Sequence, residues 1–64
     1  MPDLTIAEMD AFQVTGDLER AIDGFQLDEV SYSAEPDPND REGLIVTAVI
    51  GGESKRFLVA IQEI

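Results

Sequence analysis

The side chains that could carry out acid–base or nucleophilic chemistry in this chain are its carboxylates, Lys55, Tyr32 and a few hydroxyls; there is no His and no Cys. That composition excludes imidazole catalysis, thiol nucleophiles, Ser–His–Asp arrangements and most zinc sites. Paired carboxylates can still act as acid and base where burial separates their pKa values. Here Glu8, Asp10, Asp17, Glu19 and Asp23 decorate the polar side of a helical pattern, and Glu35, Asp37, Asp40 and Glu42 crowd a Pro-rich stretch. Acids so placed are solvated, so no catalytic residue is assigned and the chain reads as a non-enzyme.

Two stretches mimic ligand loops and fail in detail. DPNDRE, residues 37 to 42, has the flavour of a calcium loop. Its fifth position is Arg41, the sharp-turn Gly is replaced by Glu42, and the bidentate acid falls on Ala48. GGESKR, residues 51 to 56, lacks the G-x-x-x-x-G-K-[ST] spacing of a phosphate loop and no helical pattern follows it. It reads as a hairpin turn with charges at its exit. No cofactor and no metal are expected.

Charge is the strongest surface signal. Fourteen Asp and Glu against four Lys and Arg give a net charge of −10, which opposes direct contact with nucleic acid or an anionic membrane. Arg20, Arg41, Lys55 and Arg56 are too few and too dispersed for a nucleic-acid footprint. A charged partner should therefore be a basic protein. One reading is an inhibitor or regulator that docks an acidic surface, Glu29, Glu35, Asp37, Asp40 and Glu42, on a groove built for phosphates. The alternative is adaptation to high salt, in which the acidity of a small structural or housekeeping protein has no specific target.

Sixty-four residues form one domain, and a chain of this size buries only about 60% of its unfolded surface. Disulfides and a Cys or His metal site are closed to it, which leaves oligomerisation or a partner as the extra source of stability. The start, MPDLTIAEMD, has neither a basic flank nor an apolar core, and no apolar run approaches a membrane span. A soluble, cytoplasmic protein is expected.

The elements that position these residues divide the chain into a helical half, about 4–25, and a β-meander, about 27–64. Thr5 with Glu8 forms a capping box, with Leu4 and Met9 at staple positions. Ile6, Met9 and Phe12 continue an apolar stripe, and Val14, Thr15 and Gly16 weaken the helix enough to predict a kink or turn. Leu18, Ala21, Ile22 and Phe25 resume the helical spacing, and Gly24 is placed to end it. AFQVT as a short strand is the weaker alternative. Val30, Tyr32 and Ala34 alternate with polar residues, EPDPNDREG (35 to 43) reads as a loop, and LIVTAVI (44 to 50) and KRFLVAIQEI (55 to 64) are strands joined by a turn opening at Gly51-Gly52. The expected fold is α+β: one or two helical segments packed on a three-stranded antiparallel meander.

The last two strands give two faces. Leu44, Val46, Ala48 and Ile50 share one with Phe57, Val59 and Ile61, and this face is assigned to the helices. Ile45, Thr47 and Val49 share the other with Leu58, Ala60, Gln62 and Ile64. Either a helical segment covers that second face too, or Ile45, Val49, Leu58, Ala60 and Ile64 meet another copy or a partner. The final strand is an edge with no Pro and no charge across FLVAIQ, so a homodimer through that edge or the outer face is expected.

Overall fold

The computed structural model describes residues 5–64. Its single α-helix, α1, spans Ala11–Ile22, and four strands follow: β1 Gln26–Leu27, β2 Val30–Asp37, β3 Asp40–Ile50 and β4 Glu53–Ala60. They form one antiparallel sheet in the order β1-β2-β3-β4, so the class is α+β with a meander of four strands instead of the expected three. β1 escaped the pattern because two residues show no alternation.

The helix begins five residues later than the capping box implies. Thr5, Ile6 and Glu8 build only a 3-10 turn, Ile6–Glu8, because Met9 is extended (φ −70°, ψ 133°). The Thr5 hydroxyl donates to Glu8 Oε1 at 2.9 Å and caps no backbone N–H. The working cap is Asp10, whose Oδ1 accepts the Gln13 N–H at 2.8 Å, one of the donors left open at a helix start. Leu4, half of the expected staple, lies outside the described residues.

No break occurs at Val14 to Gly16. Thr15 is 4% exposed, and its hydroxyl donates to the Ala11 carbonyl at 2.6 Å, so the polar atom enters the helix–sheet contact already satisfied. With Ala11, Leu18 and Ile22, Thr15 makes the partly or fully shielded stripe of α1; this packing overrides the weak local propensity. Ala21 and Phe25 are exposed instead. The helix ends as its sequence implies, with Gly24 at φ +82° just after Asp23.

α1 packs on β2 and β3. Leu44, with no exposure, and Val46 at 8% are the buried apolar residues described. Burying a Leu is worth about 1.5–3 kcal/mol, so much of the stability rests on these two positions. The helix covers only one side of the sheet, and among the described residues no second helical segment crosses the other. No described helix is long and apolar enough to cross a membrane.

EPDPNDREG is mostly strand. β2 runs through Asp37 and β3 starts at Asp40, so only Pro38 and Asn39 turn the chain. Pro36 pairs with Leu44 but Asp37 pairs with Asp40, which leaves Arg41, Glu42 and Gly43 without opposite residues on β2. The β3–β4 turn is Gly51-Gly52 alone, at φ +57° and +86°, and Glu53 pairs directly with Ile50. Positive φ at both central residues matches the hairpin turn whose twist suits the strands.

The two edges differ. On the first, β1 pairs with β2, and beyond it Asp23 Oδ1 accepts the Ala34 N–H at 3.1 Å. On the second, no described strand pairs outside β4.

Candidate functional site

The acidic residues singled out from sequence do not form one patch. Glu29 precedes the start of β2, whereas Asp37, Asp40 and Glu42 lie around its far end. Seven residues of strand at about 3.3 Å each keep these ends more than 20 Å apart. Glu35 lies between, on the sheet face away from the helix, and its Oε1 is 3.5 Å from an Arg56 guanidinium nitrogen.

Asp37, Asp40 and Glu42 do gather at the β2–β3 tip. Asp37 Oδ1 accepts the Asn39 N–H at 2.9 Å and Asp40 Oδ1 accepts the Glu42 N–H at 2.9 Å. These local bonds fix both carboxylates and shape the turn. A Cβ on Gly43 would meet Asp37 Oδ2 and Asp40 Oδ2, each at 3.4 Å, so the two acids converge over the glycine. Among the described residues no cluster of three or more acids is arranged to hold a metal ion.

Of the apolar residues singled out, Ile45, Val49, Leu58 and Ala60 fall on the face away from α1, where β2 and β4 supply a different chemistry, and Ile64 lies past the end of β4. Register sets Glu35, Ile45 and Leu58 in one row, Ser33, Thr47 and Arg56 in the next, and Ser31, Val49 and Ser54 in a third. Ile45 and Val49 are half-buried between these neighbours, Leu58 is 70% exposed, and Ala60 and Ile64 are exposed. It is a mixed face, with its apolar part confined to Ile45, Val49, Leu58 and Ala60.

A further apolar strip lies on the helix side, beyond the reach of α1. Phe57 is 53% exposed and Ile50 50% exposed. With Ala48 and Lys55 they line a shallow depression of about 450 Å³. Phe57 is on the face assigned to the helices, but α1 lies over β2 and β3 and leaves it open. Ile50, assigned to the helix-covered face, is left half open, and Lys55 interrupting that apolar face marks where the cover ends.

Arg20 donates to Asp17 at 2.7 Å and Gln13 Nε2 at 3.1 Å, and these bonds hold the Asp17 carboxyl below its ordinary pKa, Arg20 contributing most. The Arg41 guanidinium carbon lies 4.5 Å from the Phe12 ring centre, a cation–π contact that occupies a cation near the acidic tip. Tyr32 stacks on Phe25 with ring centres 6.1 Å apart. A small cavity of about 300 Å³ between Ile6, Met9, Val14 and Ile61 brings only Asp10, Gln62 and Glu63 as polar lining residues. Comparison with protein-family models, curated proteins and solved structures finds no match to this chain.

Proposed function

We propose that this chain is a small non-enzymatic protein-binding module whose β2–β3 tip docks on a basic protein surface, as an inhibitor or regulator of a nucleic-acid-binding partner. The observation that carries this reading is the convergence of Asp37 and Asp40 over Gly43, held by the bonds to Asn39 and Glu42. Two fixed carboxylates, each with an oxygen 3.4 Å from the same Cβ position, offer guanidinium groups paired negative charge as phosphates do, and their fixation lowers the ordering cost of binding. Glu35 flanks the tip; Glu29, at the far end of β2, makes no contact in this mode.

The test is titration against a panel of purified basic nucleic-acid-binding proteins, with and without competing duplex DNA. A complex that weakens with salt, is displaced by DNA and is lost in the Asp37→Asn/Asp40→Asn/Glu42→Gln variant supports the reading. A complex indifferent to that variant sinks it.

A second reading is favoured by the spread of acids along α1 and to both ends of β2. Dispersed charge suits adaptation to concentrated salt, where self-repulsion is screened. Circular dichroism separates the two: a fold that requires molar salt makes the acidity a solvent adaptation, and a fold stable in dilute buffer removes that motive.

A further inference from the structure

The open side of β4 has a defined hydrogen-bonding pattern. Ile61 N–H donates to the Glu42 carbonyl at 2.9 Å, and the register places Val59 opposite Leu44 and Phe57 opposite Val46. Because antiparallel ladders alternate, the odd-numbered residues of β4 bond inward to β3. Ser54, Arg56, Leu58 and Ala60 therefore turn their N–H and C=O groups outward. Charged side chains on an edge ordinarily defend it, but the Arg56 guanidinium is drawn back across β3 to Glu35, away from that edge.

The exposed area leaves room for a partner. The chain exposes 5204 Å², whereas a compact monomer of 7.0 kDa exposes about 4,000 Å². The excess is on the order of the roughly 800 Å² that each partner gives to a standard interface. Charge narrows the occupant. β4 carries Lys55 and Arg56 against one acid, Glu53, and Arg56 offsets Glu35, so this is the least acidic margin of a −10 chain, where a second acidic molecule meets least repulsion.

We infer that two copies of this chain pair β4 to β4 in antiparallel fashion about a two-fold axis at Val59, forming one continuous sheet with both helices on the same face. A two-fold axis perpendicular to the sheet keeps each side chain on its own face, so the pairing centres on a residue. Centring on Arg56 opposes two guanidinium groups, and centring on Leu58 sets Glu53 against Glu63. Centring on Val59, with the chain past Ala60 drawn into the same register on pairing, places Lys55 opposite Glu63 of the second copy, twice, and Phe57 opposite Ile61, with Leu58 across from Ala60 on the outer face. The outward groups of Leu58 and Ala60 then bond each other, as the ladder requires. Half-exposed Phe57 gains an apolar neighbour that its own helix does not supply.

Sedimentation equilibrium of the full chain and oxidative trapping test this. A dimer is expected at tens of micromolar, tightening as salt rises from about 0.02 M to about 0.5 M, because screening the mutual −10 charges outweighs loss of two exposed ion pairs. Lys55→Glu should weaken it roughly tenfold, and Lys55→Glu/Glu63→Lys should return it to within about threefold of the original. Val59→Cys, in a chain without other cysteines, should cross-link under mild oxidation, since directly opposed residues fit disulfide geometry; Ser54→Cys should not. A monomer at high micromolar concentration in both salts overturns the proposal. So does a dimer that ignores the charge swap and traps no Val59→Cys disulfide. Circular dichroism of each variant shows that the fold persists.

Discussion

The Arg56 guanidinium reaches from β4 across the whole of β3 to Glu35 on β2, closing to 3.5 Å over the Ile45 and Thr47 stretch. Both ends are solvent-exposed, so the pair shields Ile45 more than it stabilises the sheet. Glu35→Ala should lower unfolding free energy by less than about 1 kcal/mol, measured by urea denaturation. A larger loss would mean that the pair holds the three strands together.

Gly16 stands in the middle of α1 with nothing within 4 Å of where a Cβ would be. Gly16→Ala should raise stability by about 0.5–1 kcal/mol. A higher urea midpoint with unchanged slope is the expected result, and a fall would place an unseen contact at that position.

The opposite result is expected at the hairpin turn. Gly51 and Gly52 have φ of +57° and +86°, where a side chain meets the backbone. Either one changed to Ala should cost about 1–2 kcal/mol, seen as a lower thermal midpoint. Equal stability would show that the turn can take another form.

Leu44 has no exposure and sits on β3 between Pro36 of β2 and Val59 of β4. Leu44→Ala should cost about 2–5 kcal/mol, most of what a domain this small holds. Loss of the cooperative transition by circular dichroism is the expected outcome; a cost below 1 kcal/mol would mean that the site collapses around the gap.

Asp17 gives the pH dependence a sign. Its pKa is lowered in the folded state, so its contribution is present above the ordinary value of 3.8 and is lost as pH falls through the folded value. Carbon-13 NMR of its carboxyl should show a midpoint below that of an unfolded aspartate. Arg20→Ala should move it upward, since Arg20 is the larger cause; an unmoved midpoint would assign the effect to Gln13.

Much of the sheet was legible because its signals are local. Alternation marked β2, the apolar runs marked β3 and β4, and two glycines marked their turn. The helix was harder, because Thr5 with Glu8 and Asp10 with Gln13 compete as starts and only the extended Met9 decides between them. Val14 to Gly16 looked like a break because propensity cannot register that Thr15 is buried against strands distant in sequence. The acidic set was read as one patch since four of its five members are close in sequence; the length of β2 separates Glu29 from them. The covered and bare halves of the helix-side face were not legible, because alternation assigns a face but not the path of the helix over it.

Asp23 ends α1 and, through Ala34, occupies the edge of β2 where β1 runs out. In the terms of polymer chemistry, the chain is monofunctional: one margin of its sheet is terminated from within and the other can react. If β4 pairs as inferred, strand addition stops after one event, because the opposite margin offers little to a further strand.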